Sequence, residues 1–180
     1  MPTSPPLFTQ ETSFKESQAS CNLVWHNLED TTAFAKQLSQ QNGIHDLFIT
    51  LFGDLGSGKT TLVRHLLESF GLKARVKSPT YTIIESYELP LPEQCKSSGT
   101  SFTVSHFDFY RFQDENEWEE AGFRDVFANP GLQIVEWPEK VQSLLPKADL
   151  EIHIQVQTDE SRSVVLKSLT QKGLNIIRIF

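Results

Sequence analysis

Apolar and polar positions follow two different periods along this chain, and the switches between them outline its elements. The stretch "NLVWHNL" (22–28) predicts a first strand. "DTTAFAKQLSQQNG" then predicts a helix capped by Asp30 or Thr31, with Phe34 and Leu38 four apart on one face and Gly43 past its end. "DLFITLF" (46–52) is a short unbroken run of β-branched, aromatic and aliphatic residues, the pattern of a parallel strand buried on both faces. After a glycine-rich turn, "KTTLVRHLLESF" returns to helical spacing through Leu62, Leu66 and Phe70 and stops at Gly71. "TYTIIESYEL" (80–89) and "FTVSHFDFY" (102–110) predict strands, joined by a polar loop near 90–101 that carries two prolines. "DENEWEEAG" (114–122) predicts a short acidic helix, "LQIVEW" (132–137) a buried strand, and "PEKVQSLLP" a helix begun by Pro138 and ended by Pro146. The last third, "DLEIHIQV", "RSVVLKSL" and "LNIIRIF", reads as strands forming an antiparallel edge. No repeat is visible. The fold class that follows is α/β: a mostly parallel sheet flanked by helices, with antiparallel strands toward the C-terminus.

Composition narrows the picture. At 180 residues the expected organisation is a flexible polar tail over 1–20, rich in Ser, Thr, Pro and Gln, followed by a single domain over 21–180. Acidic residues exceed basic ones by 23 to 16, a formal net charge of −7, which argues against a sequence-independent grip on DNA or RNA. It leaves room for a protein that works beside RNA while a partner holds the RNA. Cys21 and Cys95 have neither metal-ligand nor redox spacing and read as two unpaired thiols. There is no apolar run of about 18 residues, so no membrane span is expected. The first twenty residues lack both the apolar region of a secretory signal and the arginines of a transit peptide, so the expected location is cytoplasmic.

The chemistry lies in "GDLGSGKT", which matches G-x-x-x-x-G-K-[ST] with Gly53, Gly58, Lys59 and Thr60. Each residue type answers a physical need. Glycines let the backbone approach phosphates without a Cβ in the way. Successive N–H groups at the start of a helix form an anion-binding concavity where the helix dipole also favours negative charge. Lys59 can set a point charge between the β- and γ-phosphates, the Thr60 hydroxyl can ligate Mg²⁺, and Thr61 is within reach of the α-phosphate. The whole loop, including Asp54, Leu55, Gly56 and Ser57, is therefore the expected nucleotide cradle. Composition alone would place the four fixed residues together in roughly one chain in a hundred of this length. The preceding strand and following helix are what make the motif specific, and they define the fold as P-loop NTPase-like.

Other features separate the P-loop classes. There is no N-K-x-D element to read guanine, and no L-S-G-G-Q-like signature of a transport ATPase. The six arginines, at 64, 75, 111, 124, 162 and 178, are scattered rather than gathered into a kinase lid. Two carboxylates stand where metal and water would need them. In "VSHFDFYR", strand alternation puts His106, Asp108 and Tyr110 on one face and Phe107 and Phe109 on the other. Asp108 can hold Mg²⁺ through water, and Glu136 closes an apolar strand, where α/β sheets present ligand groups. Either carboxylate can orient or deprotonate an attacking water. Without a second His or Cys beside it, His106 reads as a hydrogen-bonded strand residue rather than a metal ligand. Tyr81, Tyr87, Phe107 and Phe109 read as core, and the acidic helix as a solvated face or a docking surface for a basic partner.

Four segments in order, "GDLGSGKTTL", "SPTYTIIESY", "HFDFYR" and "EWPEKV", resemble the TsaE (YjeE) family of bacterial ATPases over about residues 22–155. That family is required to make N6-threonylcarbamoyladenosine at position 37 of tRNAs that read A-starting codons. The resemblance implies that Gly53 to Thr61 bind ATP and that Thr80 lies in a switch-like segment near the γ-phosphate. It implies a Mg²⁺-associated role for Asp108, a catalytic role for Glu136, and a place near the nucleotide for Trp137. Tyr110 and Arg111 would complete the H-x-D-x-Y-R element. It further implies an ATPase that is weak alone and acts with the threonylcarbamoyl transferase and its inactive paralogue, any tRNA contact being indirect. Its ATP cycle would reset that complex rather than supply the transferred group. Two other readings compete: a free-standing P-loop kinase acting on a small molecule, and a nucleotide-gated binding module in which occupancy is the output.

Overall fold

The computed structural model describes residues 12–15, 18–74, 76, 78–79, 82–91, 99–113 and 115–180. Their elements run β1 (Thr12–Lys15), β2 (Gln18–Trp25), α1 (Leu28–Ser39), β3 (Phe48–Phe52), α2 (Lys59–Ser69), β4 (Ile84–Pro90), β5 (Ser101–Asp108) and α3 (Glu115–Glu120). They continue with α4 (Phe123–Ala128), β6 (Leu132–Glu136), β7 (Leu150–Val156), β8 (Arg162–Ser168) and α5 (Gln171–Ile177). The described strands form one eight-stranded sheet in the order β1-β2-β8-β7-β3-β6-β5-β4. Its centre, β7-β3-β6-β5, is parallel, while β4 on one side and β8, β2 and β1 on the other run antiparallel. The mixed sheet is the expected fold class, with the antiparallel portion extended to strands from both ends of the chain.

Strand alternation divides the apolar residues between two faces. Ile49, Leu51, Val104 and Ile134 point to the face covered by α1, α2 and α5, where Trp25, Phe34, Leu38, Leu62, Leu66 and Ile177 complete the larger core. Phe48, Phe107 and Val135 point the other way, onto an aromatic cluster with Phe109, Phe112, Trp118 and Phe123. Each such large side chain contributes about 1.5–3 kcal/mol by leaving water. The aromatic assignment of Phe107 and Phe109 to core therefore holds; Tyr81 lies outside the described residues, and Tyr87 is half-buried.

The structure departs from the sequence expectation at several places. Thr12–Lys15 and the start of β2 lie inside the stretch 1–20 expected as tail; they pair with each other in a hairpin, and β2 pairs with β8. The first helix begins at Leu28, inside the strand expected to run to 28, because the Asn27 side chain caps it by accepting from the Asp30 N–H at 3.0 Å. Neither Asp30 nor Thr31 is the cap. The segment opened by Pro138 makes only a single 3₁₀ turn over Pro138–Lys140 and then irregular turns. Nine residues from one proline to the next, both included, are too few to carry a stable helix unless a packed face supports it. "LNIIRIF" is not a strand: Leu174, Ile176 and Ile177 are buried along α5, which Thr170 caps by accepting from Gly173 N–H. The edge beside β8 is already occupied by β2, so the C-terminal segment packs on the sheet's face, and Phe180 lies against Phe34 with ring centroids 4.7 Å apart. The acidic helix is present as α3, and a second short helix, α4, follows it after Gly122.

Candidate functional site

The site is built where β3 ends and α2 begins. Gly53 leaves the strand at φ 143°, and a Cβ there would lie 2.3 Å from the carbonyl oxygen of Ile154 on β7. The loop can therefore close against the sheet only with glycine at this position. Gly58 sits at φ 110° directly before α2 and supplies no side-chain cap, so the first N–H groups of that helix face the cleft instead of a capping oxygen. Ser57 is buried, its carbonyl accepts from Arg162 Nε–H at 3.1 Å, and its hydroxyl has no hydrogen-bond partner among the described residues. Leu55, at the tip, is 75% exposed.

A cleft of about 450 Å³ opens above this loop. It is lined by loop residues Leu55, Gly56, Gly58, Lys59, Thr60 and Thr61, and by Ser78, Asp108, Tyr110, Arg111, Glu136 and Trp137 from across the sheet end. Asp108 and Glu136 close neighbouring parallel strands and are direct register partners, both on the face that carries α2. Asp108 is buried; its carboxylate accepts from the Tyr110 N–H at 3.0 Å and from the Ser78 hydroxyl. Glu136 is 2% exposed and accepts from the Thr60 hydroxyl at 3.0 Å, while its other oxygen lies 2.9 Å from His106 Nε2.

Lys59 folds back on its own loop. Its ammonium donates to the carbonyls of Gly53 (2.5 Å) and Asp54 (3.0 Å) and lies 4.0 Å from the ring centre of Trp137. Burial holds its pKa below the ordinary lysine range, against the opposing pull of Glu136, Glu139, Asp108 and Asp54. Trp137 reaches this position through a left-handed backbone, φ 58°, costing about 1–3 kcal/mol for a bulky residue, and its ring meets Tyr110 at 4.8 Å. Strain of this kind, at the end of a buried strand and over a phosphate loop, is typical of functional turns.

The residues present fit a nucleoside triphosphate with Mg²⁺. The cradle combines an uncapped helix start, glycines at positive φ, a buried hydroxyl without a partner and a lysine within the loop. Among the described residues no cluster of three or more His, Cys, Asp or Glu forms a metal cage. Thr60 and Asp108 instead offer the sparse, oxygen-only donor set that suits Mg²⁺ shared with phosphates and water. Of the residues singled out from sequence, the loop residues 53–61, Asp108, Glu136 and Trp137 converge here. Thr80 lies outside the described residues. Ser78 and Arg162 were not singled out: Ser78 had its neighbour Pro79 as a local signal, whereas Arg162 comes from β8, 105 residues from the carbonyl it holds.

Strand, glycine loop and helix at the end of a parallel sheet, with two carboxylates on adjoining strand ends, define a P-loop nucleotide-binding fold. Residues 25–164 match the family described as threonylcarbamoyl adenosine biosynthesis protein TsaE, and the chain belongs to that family. The tRNA threonylcarbamoyladenosine biosynthesis protein TsaE of Haemophilus influenzae is 38% identical over 147 residues, covering 82% of this chain and 86% of that one. The protein of the same name from Bacillus subtilis is 34% identical over 152 residues, covering 82% and 86% respectively. In fold, the chain is similar to the crystal structure of Bacillus subtilis YdiB, with a TM-score of 0.67 over 92% of this chain and 96% of that one at 24% identity. Among the described residues no helix is long and apolar enough to cross a membrane.

Proposed function

We propose that this protein is the ATP-binding and hydrolysing subunit of the cytoplasmic machinery that makes N6-threonylcarbamoyladenosine at position 37 of tRNAs reading A-starting codons. Family membership supports the pathway, and the contact between Glu136 and the Thr60 hydroxyl at 3.0 Å supports the chemistry. That single contact joins the end of β6 to the mouth of the phosphate loop, so one carboxylate stands beside the hydroxyl suited to Mg²⁺ and the lysine suited to phosphate.

The residues take distinct roles in this reading. The loop N–H groups from Gly53 to Thr61 hold the phosphate chain, and Lys59 swings from the Gly53 and Asp54 carbonyls toward it. Thr60 and Asp108 would hold Mg²⁺, which when bound neutralises charge building up on the phosphate oxygens. Glu136 orients a water and accepts its proton. In this reading Thr80 would act at the γ-phosphate, and Trp137 packs beside the nucleotide. The partners are the threonylcarbamoyl transferase and its inactive paralogue; hydrolysis resets their complex after turnover, and tRNA contact is indirect. The net charge of −7 agrees with a protein that leaves RNA binding to others.

The test is phosphate release from Mg-ATP by the purified chain, alone and with the transferase pair and tRNA, for the wild type and Glu136→Gln. The reading expects slow release alone, faster release with the pair, and a variant that binds ATP but hydrolyses it far more slowly and fails to support modification. A variant that still supports modification would make occupancy the output. Phosphate passing to a small acceptor, with release indifferent to the partners, would make the protein a kinase.

A further inference from the structure

We infer that His106 is a positioning residue: it locks one oxygen of the Glu136 carboxylate so that the other alone faces the cleft. This rests on the reading of Glu136 as the group that aligns water. His106 lies inside β5, two residues before Asp108 on the face that carries α2, and it is wholly buried. Its Nε2 is 2.9 Å from Glu136 Oε1, and the Thr60 hydroxyl lies 3.0 Å from Oε2. The carboxylate is thus held at both ends, by two very different groups.

Thr60 lines the cleft, and its hydroxyl rotates to suit whatever partner arrives. The imidazole, by contrast, is wholly enclosed within β5 and away from the cleft. When Thr60 turns to a ligand in the cleft, Oε2 is released while Oε1 stays bound. A glutamate carboxylate turns easily about its last torsion, which has broad, two-fold wells. Without the histidine, Glu136 would be free to exchange its oxygens and to swing toward the Lys59 ammonium, one of the groups it already attracts.

The surroundings argue against a purely structural role. On this face of the sheet His106 is flanked by Val104 and by its β6 register partner Ile134, both aliphatic and fully buried, and by Asp108 and its β4 register partner Glu85, yet the imidazole itself is wholly buried. An imidazole there carries a desolvation cost that an aliphatic side chain would not. Its second nitrogen, Nδ1, is buried with no hydrogen-bond partner among the described residues, so the contact with Glu136 is what offsets that cost. An ionised carboxylate can only accept, so this contact requires the proton to sit on Nε2.

The experiment compares His106→Leu, which fills the space without a donor, with His106→Gln, which retains an N–H donor. Each is made alone and combined with Glu136→Gln, with melting curves as the check on folding. His106→Leu is expected to bind a fluorescent ATP analogue within about threefold of wild type. Its kcat for phosphate release with the partner pair should fall by about tenfold to a hundredfold, the loss expected for one hydrogen bond to a charged group, with KM little changed. His106→Gln should recover part of that loss, and in the Glu136→Gln background the leucine variant should cost nothing further. In the nucleotide-free protein, the imidazole nitrogen spectrum should show His106 protonated on Nε2, with a resonance that shifts in Glu136→Gln. Wild-type turnover by His106→Leu, an equal loss in the Glu136→Gln background, or a proton on Nδ1 would each overturn the inference while leaving the ATPase reading intact. Full turnover by Glu136→Gln itself would remove Glu136 from the chemistry and the inference with it. Should the leucine variant fail to fold, the glutamine variant and the nitrogen spectrum decide the matter.

Discussion

Replacing Gly53 by alanine offers a direct measure of how tightly the phosphate loop is clamped to the sheet. The added methyl would lie 2.3 Å from the Ile154 carbonyl oxygen and 2.8 Å from the Ser57 hydroxyl oxygen. The first neighbour is backbone in β7, one strand over in the central sheet, and cannot turn aside. A carbon meets a carbonyl oxygen at about 3.3 Å or more, so the overlap is about an ångström and something must move. Overpacking of this kind costs about 1–3 kcal/mol, and the backbone at φ 143° adds about 1–3 kcal/mol for any residue with a Cβ. Gly56 provides the control: it too has positive φ, 82°, but a Cβ there meets nothing within 4 Å, so Gly56→Ala carries only the conformational part. For a chain of this size each kcal/mol moves the melting temperature by about 2–4 °C. Gly53→Ala should therefore lower it by about 4–24 °C and Gly56→Ala by clearly less, as read by thermal denaturation followed by circular dichroism. Gly53→Ala should also weaken nucleotide binding, since the loop must lift away from β7. Equal shifts in the two variants would refute the steric argument and leave only the torsional one.

Two further perturbations follow from the same geometry. Burial depresses the Lys59 pKa, so between its lowered folded value and the ordinary 10.5 the unfolded chain holds a proton that the folded chain has released. Stability must then rise with pH across that alkaline window, being lowest where lysine is charged in both states. Lys59→Met should abolish that slope in urea titrations of the nucleotide-free protein and also weaken triphosphate binding; an unchanged slope would mean that the ammonium is well solvated. Phe109 is fully buried among Phe107, Phe112, Trp118 and Phe123, with ring centroids 5.4–5.8 Å away, so Phe109→Ala should cost about 3–5 kcal/mol in denaturant unfolding. A cost below about 1 kcal/mol would mean that the cluster closes up over the gap.

The P-loop was legible in sequence because its chemistry is local. A strand that must be buried, glycines that must approach phosphate and a helix that must start without a cap all fall within about twenty consecutive residues. The same locality made Asp108 and Glu136 visible, each as a carboxylate ending an apolar strand. His106 shared the alternation with Asp108 and was read as a hydrogen-bonded strand residue, which it is; its partner, thirty residues away, was out of reach of any local pattern. Arg162 had no signal at all, since it acts on a carbonyl 105 residues away.

The α5 segment shows the opposite case. "LNIIRIF" has the β-branched composition of a strand, yet α5 is helical because β2 already occupies the free edge of β8 and the face beneath offers a place for Leu174, Ile176, Ile177 and Phe180. The hairpin of β1 and β2 likewise depends on an edge that exists only once β8 is in place. By itself, then, the sequence determined the phosphate loop, the parallel strands around it and the carboxylates at their ends, since each follows from the periodicity and chemistry of neighbouring residues. Only the tertiary structure decided which edges remained open, which segments became helix instead of strand, and which distant side chains met Glu136 and the loop. Those outcomes turn on competition for the same surface and on distances between chain positions far apart, and no run of neighbouring residues encodes either.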